Sequence, residues 1–174
     1  MLHPLRDHIP PRPRILFVGI NPGIRSATIG HHFAGYSNRF WKLLFDSKLV
    51  PEPIRAEDDG RLPEWRYGIT NLVARPTPGI DTLKPAEYQA GVRILERKVE
   101  RAQPRIVAFL GVTLFRAIFN RPASVRVSVG LQRERFAGAR VFVLPNPSGR
   151  NANFTYTQML ASFRTLRAAA RRAW

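Results

Sequence analysis

The sequence predicts an α/β fold, a three-layer sandwich with a mostly parallel central sheet flanked by helices. Two observations predict it. Short apolar runs of strand type alternate along the chain with stretches of helical periodicity. Three of those runs end in loops punctuated by proline and hydrogen-bonding side chains, as strands do where a parallel sheet opens onto a ligand crevice.

The elements follow in order. Residues 1–13 carry Pro4, Pro10, Pro11 and Pro13, which predicts an extended, loosely held leading segment. Arg14 to Val18 is a first strand, stopped by Gly19-Ile20-Asn21-Pro22-Gly23. Ser37 or Asn38 caps a helix from about Arg39 to Ser47, with Phe40, Leu43 and Leu44 on one face. Pro51 to Glu64 is polar and proline-containing, hence a loop. Tyr67 to Val73 is a second strand and ends in Ala74-Arg75-Pro76-Thr77-Pro78-Gly79. Pro85 to Gln103 is a helix, with Pro85 in its first turn and Val92, Leu95 and Val99 as apolar positions. A third strand, Arg105 to Leu110, precedes a short helix from Val112 to Phe119. Val125 to Val129 and Arg140 to Leu144 are two further strands. The last helix, Tyr156 to Arg172, places Met159, Leu160, Phe163, Leu166 and Ala170 on one stripe. No repeat or low-complexity linker divides the 174 residues, so residues 1–174 are expected to form one domain.

Charge points to a polyanionic partner. There are 28 basic against 12 acidic residues, a formal net charge of +16, and only Lys42, Lys48, Lys84 and Lys98 are lysines. A genome biased toward arginine explains that ratio but not the shortage of acids. The planar arginine fork suits phosphate oxygens, and a strong positive field attracts nucleic acid by releasing its counterions. The absence of cysteine excludes disulfides, thiolate zinc sites, iron–sulfur clusters and cysteine nucleophiles. No apolar run approaches the roughly 20 residues of a membrane span, and the amino terminus has no signal-peptide core. A cytoplasmic protein without a membrane partner is the expectation.

In a parallel sheet the loops at 19–23, 74–79 and 145–149 share one edge and can border one pocket. The first is neither a dinucleotide fingerprint nor a Walker loop. Asn-Pro occurs in it and again in Pro145-Asn146-Pro147-Ser148-Gly149. An asparagine amide cannot titrate, so a site built on Asn21 would position a water rather than deprotonate it. That suits a reaction whose transition state is already cationic. His31 and His32 have no partners at metal-ligand spacing, and no metal or cofactor is expected. Ser148 lacks the context of a nucleophile elbow. Glu57, Asp58, Asp59 and Glu64 fall in the polar loop, read as solvated, while Glu87, Glu96 and Glu100 lie on a helix. Asp81 alone among the acids follows a strand-end loop of the crevice. Trp41 reads as core. Phe33, in the glycine-flanked loop Gly30 to Gly35, either stacks on a ligand or packs.

Gly-Ile-Asn-Pro-Gly at 19–23, Asn-Arg-Phe-Trp-Lys at 38–42 and Leu-Pro-Asn-Pro-Ser-Gly at 144–149 resemble the mismatch-specific uracil-DNA glycosylases, bacterial relatives of thymine-DNA glycosylase. The resemblance runs from about Arg14 to the end. It implies a uracil-DNA glycosylase-like fold and a monomer acting on double-stranded DNA that contains uracil or a mismatch, at the bacterial nucleoid. It implies further that Asn21 holds the attacking water, Phe33 stacks on a flipped uracil, and Ile20, Gly23 and Ser26 line the pocket. Asn146 would contact the flipped nucleotide or its strand. Ser148, Gly149, Arg150 and Asn151 would form the wedge that enters the duplex. Arg150 stands where leucine is usual, and an arginine can both fill the gap and donate hydrogen bonds. Outside the resemblance, Asp81 is a candidate to accept the water's proton or to stabilise the cationic sugar. The alternative is a non-catalytic nucleic-acid-binding module of the same fold.

Overall fold

The computed structural model describes residues 2 and 4–172; positions 1, 3, 173 and 174 lie outside the described residues, and with them two positions of the leading segment. In chain order the regular elements are β1 (Ile15–Gly19), α1 (Ile24–Ile29), α2 (Phe40–Asp46), β2 (Tyr67–Asn71), α3 (Pro85–Ala102), β3 (Ile106–Leu110), α4 (Val112–Phe119), β4 (Gly130–Phe136), β5 (Ala139–Leu144) and α5 (Tyr156–Arg172). Two 3₁₀ segments, Ala56–Trp65 and Ile80–Thr82, lie between them.

The sheet order is β2-β1-β3-β5-β4, with the first four strands parallel and β4 antiparallel at the edge. Side chains alternate across each parallel strand, and both faces are covered, which is why these strands are mostly apolar. Ile15, Phe17, Tyr67, Ile69, Ala108 and Phe142 face a core closed by α2 and α5. Leu16, Val18, Val107, Phe109, Val141 and Val143 face a second core closed by α3 and α4. The rings of Phe17, Phe40, Phe109, Phe142 and Phe163 are fully buried. Each stabilises the fold by about 1.5–3 kcal/mol relative to exposure.

Three readings of the sequence require correction. The edge strand is Gly130–Phe136, not Val125–Val129. Ala137 and Gly138 both take positive φ, 47° and 85°, the conformation of a two-residue hairpin turn. That turn pairs Phe136 with Ala139 and Arg135 with Arg140, so the residues just before it become the strand. The segment read as a solvated loop contains the 3₁₀ helix Ala56–Trp65, and its Asp59 is 3% exposed. From Arg6 onward the leading segment is extended but not loose. His8 pairs with Ile69 through two backbone hydrogen bonds of 3.2 and 2.9 Å. Arg12 N–H donates to the Ala102 carbonyl at 2.7 Å, and Asp7 pairs with Lys98 at 2.6 Å. The free edge of β2 supplies unpaired backbone groups, and this segment satisfies part of them.

Among the described residues no helix is long and apolar enough to cross a membrane. Helix α3 approaches the end of β2 at Gly91, where an added Cβ would lie 2.5 Å from the Leu72 carbonyl oxygen. Gly91→Val should therefore lower stability by about 1–3 kcal/mol in urea unfolding. An unchanged midpoint would show that the helix can move away at no cost.

Candidate active site

Because β1, β2, β3 and β5 are parallel, their carboxyl ends meet at one edge. There the loops after β1 and β2 continue to pair beyond the strands. Leu72 and Val73 N–H donate to the carbonyls of Gly19 and Ile20, both at 2.8 Å, and Thr77 N–H donates to Pro22 at 3.1 Å. A cavity of about 170 Å³ opens beside this seam. Ile20, Asn21, Gly23, Ser26, Phe33 and Asn146 all line it, together with Leu5, Asn38, Asn71 and Leu110. Asn21 and Asn146, remote in the chain, thus border one space.

The orientation of Asn21 is set by its partners. Its Nδ2 donates to the Arg75 carbonyl at 2.9 Å and to Thr77 Oγ1 at 2.8 Å. Thr77 Oγ1 in turn donates to the Gly79 carbonyl at 2.7 Å. A carbonyl cannot donate, so the nitrogen must face Arg75 and the amide cannot flip. Both amide hydrogens are occupied, and among the described residues no donor reaches Asn21 Oδ1. Asn146 is the reverse. Its Oδ1 accepts the Ser148 N–H at 3.0 Å, which leaves its NH₂ group as a donor without a partner among the described residues. Of these two residues of the cavity wall, one keeps its acceptor unspent and the other its donor.

Phe33 holds a left-handed backbone, φ 50°, unusual for an aromatic residue. Its loop is over-determined by neighbours. Ala34 N–H donates to Ser26 Oγ at 3.0 Å, the Ala34 carbonyl accepts from Arg25 Nε at 2.8 Å, and Trp41 Nε1 donates to the His32 carbonyl at 3.0 Å. The buried carboxylate of Asp59 accepts the His32 N–H at 2.9 Å and meets His31 at 3.1 Å and His8 at 3.4 Å. The ring then lies against Gly19, where an added Cβ would sit 2.9 Å from Phe33 Cζ and 2.5 Å from Asn71 Oδ1. Only glycine fits that position.

Asn71 is the site residue that sequence reasoning missed. It closes β2 and lines the cavity, and its Oδ1 is buried with no hydrogen-bond partner. Its Nδ2 lies 3.4 Å from His32 Nδ1, while His32 Nε2 lies 2.9 Å from the Arg6 carbonyl. Since that carbonyl only accepts, Nε2 carries the proton and Nδ1 is left to accept from Asn71. Burial pushes the His32 pKa below its usual value, against the opposing pull of the Arg6 carbonyl and Asp59, so the ring is held neutral. An asparagine ending an apolar strand at the same edge as Asn21 and Asn146 was the available signal.

Asp81 is exposed in the 3₁₀ turn Ile80–Thr82 and does not line the cavity, so it is not brought together with Asn21. The expectation that it serves the same water as Asn21 fails on position, since its side chain is exposed and outside the cavity wall that Asn21 lines. Ser148 to Asn151, the residues expected to form a wedge, flank the site. Gly149 packs so tightly that a Cβ would meet Ser37 Cβ at 2.5 Å, and the Pro147 carbonyl accepts the Arg39 N–H at 2.9 Å. Ser148 and Arg150 stand between two grooves, one shared with Asn151 and Thr113, the other with Arg25 and Tyr36.

The neutral His32 has a consequence for stability. A histidine whose folded pKa is depressed leaves the unfolded chain binding more protons below the ordinary value of 6.5. Stability should thus fall as pH drops from 7.5 to 5.5. His32→Gln should flatten that slope in urea titrations at the two pH values, whereas an unaltered slope would show that His32 does not carry it.

The model of the uracil DNA glycosylase superfamily matches residues 6–169. The fold is also similar to the solution NMR structure of a candidate uracil DNA glycosylase from Methanosarcina acetivorans, at a TM-score of 0.64 and 19% identity over 95% of this chain and 98% of that one. The second likeness speaks for the fold. The first spans nearly all the chain, and by it this protein belongs to the uracil DNA glycosylase superfamily, with DNA as its partner and a uracil-glycosylase kind of function.

Proposed function

We propose that this protein is a monofunctional DNA glycosylase that hydrolyses the N-glycosidic bond of uracil flipped out of double-stranded DNA, G·U mismatches foremost, and so initiates base excision repair. The observation that carries the reading is Asn21: an amide clamped through both hydrogens, with its oxygen left as an acceptor at the cavity. Such an oxygen orients a water but is too weak a base to ionise it. That is sufficient where the electrophile is an oxocarbenium-like sugar. The C1′–N1 bond breaks with its electron pair going to uracil, the water oxygen bonds to C1′, and its proton passes to solvent.

The other groups fit the same reaction. Phe33 offers a face for the extruded ring. Asn71 Oδ1 suits the N3–H of uracil, and cytosine, with no hydrogen on N3, would leave that oxygen unsatisfied. Asn146 lines the cavity wall with its NH₂ unspent, a donor for the departing anion or the nucleotide, and backbone N–H groups at the strand ends can share that charge. Ser148 to Asn151 form the wedge, with Arg150 in the space the base vacates. Extrusion costs a few kcal/mol and costs least at a wobble or mismatch, so part of the selectivity belongs to the DNA. The net charge of +16 supplies attraction to the phosphates. Asp81 has no role in this reading, and the protein acts as a monomer.

Labelled duplexes carrying G·U, A·U or G·T, treated with enzyme and then alkali, test the proposal. Cleavage should be greatest at G·U and should require the alkali step. Steeply salt-dependent binding without any alkali-labile product would mean a binding module instead. Asn21→Ala should lower the single-turnover rate by about 100-fold with duplex binding retained. Thr77→Val removes one hydrogen bond that fixes the amide and should cost about tenfold, with Thr77→Ser restoring the rate. Equal loss of binding and turnover in Asn21→Ala would show that Asn21 is not the water-holding group.

A further inference from the structure

We infer that Tyr36 is a stacking platform for a second nucleobase, the immediate neighbour of the excised uracil, and that the protein therefore also takes uracil from single-stranded DNA. The inference rests on the glycosylase reading above and extends its substrate class.

Tyr36 is 89% exposed, far more than any other large apolar or aromatic side chain that the described residues leave at the surface. A tyrosine that touches so little of the fold contributes almost nothing to its stability. Yet the ring is not free to wander. The Arg25 guanidinium carbon lies 3.9 Å from its centroid, and Arg25 is itself fixed by the bond from its Nε to the Ala34 carbonyl, 2.8 Å. The cation covers one face, and the opposite face is left to solvent. Such a ring is pre-positioned and half-occupied, as a platform for one flat ligand would be.

Its location selects the ligand. Tyr36 borders a groove of about 480 Å³ that shares Gly23, Ser26, Gly35 and Asn38 with the wall of the uracil cavity. The two spaces share this wall, so a strand with one base in the cavity would pass the ring with the next. Arg25 and Arg150 also line the groove, which suits the phosphate that joins the two nucleotides. An aromatic ring flanked by arginines along a backbone track is the recurrent chemistry of single-strand recognition.

Strandedness follows from where a neighbouring base sits. In a duplex the bases on either side of a flipped nucleotide stay paired and stacked within the helix, so neither presents a free face to a ring outside it. In a single strand the neighbour is unpaired and can swing onto Tyr36. The platform thus replaces, for a single strand, the order that the duplex otherwise imposes on the backbone beside the lesion.

The test compares kcat/KM for uracil release from a single-stranded oligonucleotide and from a G·U duplex, in the wild-type protein and in Tyr36→Ala and Tyr36→Phe. The single-strand to duplex ratio should fall by about tenfold in Tyr36→Ala and be retained in Tyr36→Phe, since stacking needs the ring and not the hydroxyl. A ratio unchanged in Tyr36→Ala would overturn the inference, as would a wild-type protein that releases uracil from the duplex alone. A second arm needs no catalysis: 2-aminopurine placed 5′ or 3′ of the uracil in a single strand should lose fluorescence on binding wild-type protein at one of the two positions, and keep it with Tyr36→Ala. Quenching without any uracil release would leave the platform standing and remove the glycosylase reading; quenching that persists in Tyr36→Ala would do the opposite.

Discussion

The structure at the candidate site depends on the seam between the loops that leave β1 and β2. Thr77 N–H reaches the Pro22 carbonyl, and the Thr77 hydroxyl and Arg75 carbonyl then take both hydrogens of Asn21. An asparagine at a strand end would otherwise rotate and expose either end of its amide. Here one end is removed from the chemistry, and the remaining oxygen can only accept. Thr77 is itself buried, 4% exposed, so the hydroxyl that fixes Asn21 is shielded from competing water. The selectivity of the group for a water proton comes from the neighbours and not from the side chain's own acidity.

The same principle recurs around the cavity with opposite sign. Asn146 has its oxygen taken by the Ser148 N–H and keeps its donors, while Asn71 has one donor turned toward a neutral His32 and keeps its oxygen. Three amides that are chemically identical are thereby made different by which of their ends the neighbouring groups satisfy. The residues that set these orientations lie well away in sequence: the leading segment at Arg6, the buried Asp59, and the loop at 75–79. Binding Leu5 to Pro13 along β2 and α3 is thus part of building the site as well as covering an edge strand.

The strands and helices were legible wherever packing wrote a pattern into adjacent residues. Val112–Phe119 and Tyr156–Arg172 occur at the expected bounds, because each buries one apolar stripe against the sheet. Strand β4 was missed because its alternation runs through arginine, glutamine and glutamate, and its register is imposed by the Ala137-Gly138 turn that follows. Helix α1, six residues long, is too short to show a period. At the site, Asn21 and Asn146 stood out because Asn-Pro recurs after two apolar runs, and Phe33 because glycines isolate it. Asp59 did not, since its burial relies on partners from two separate stretches, His8 and the His31-His32 pair. Asn71 looked like any polar strand terminus. Asp81 shows the converse limit: sequence position put a carboxylate near the crevice, but in the fold it is exposed in a 3₁₀ turn and outside the cavity wall.

The central claim is that Asn21 Oδ1 presents a water to C1′ of a base held against Phe33. A crystal structure with a G·U duplex bearing 2′-fluoro-deoxyuridine, which resists hydrolysis because the fluorine disfavours the sugar cation, tests it directly. The account predicts the uracil ring in the cavity on Phe33 and a water within hydrogen-bond distance of both Asn21 Oδ1 and the face of C1′ opposite the base. A uracil left inside the duplex, or an Asn21 amide bonded to the base with no water at that face, would contradict it.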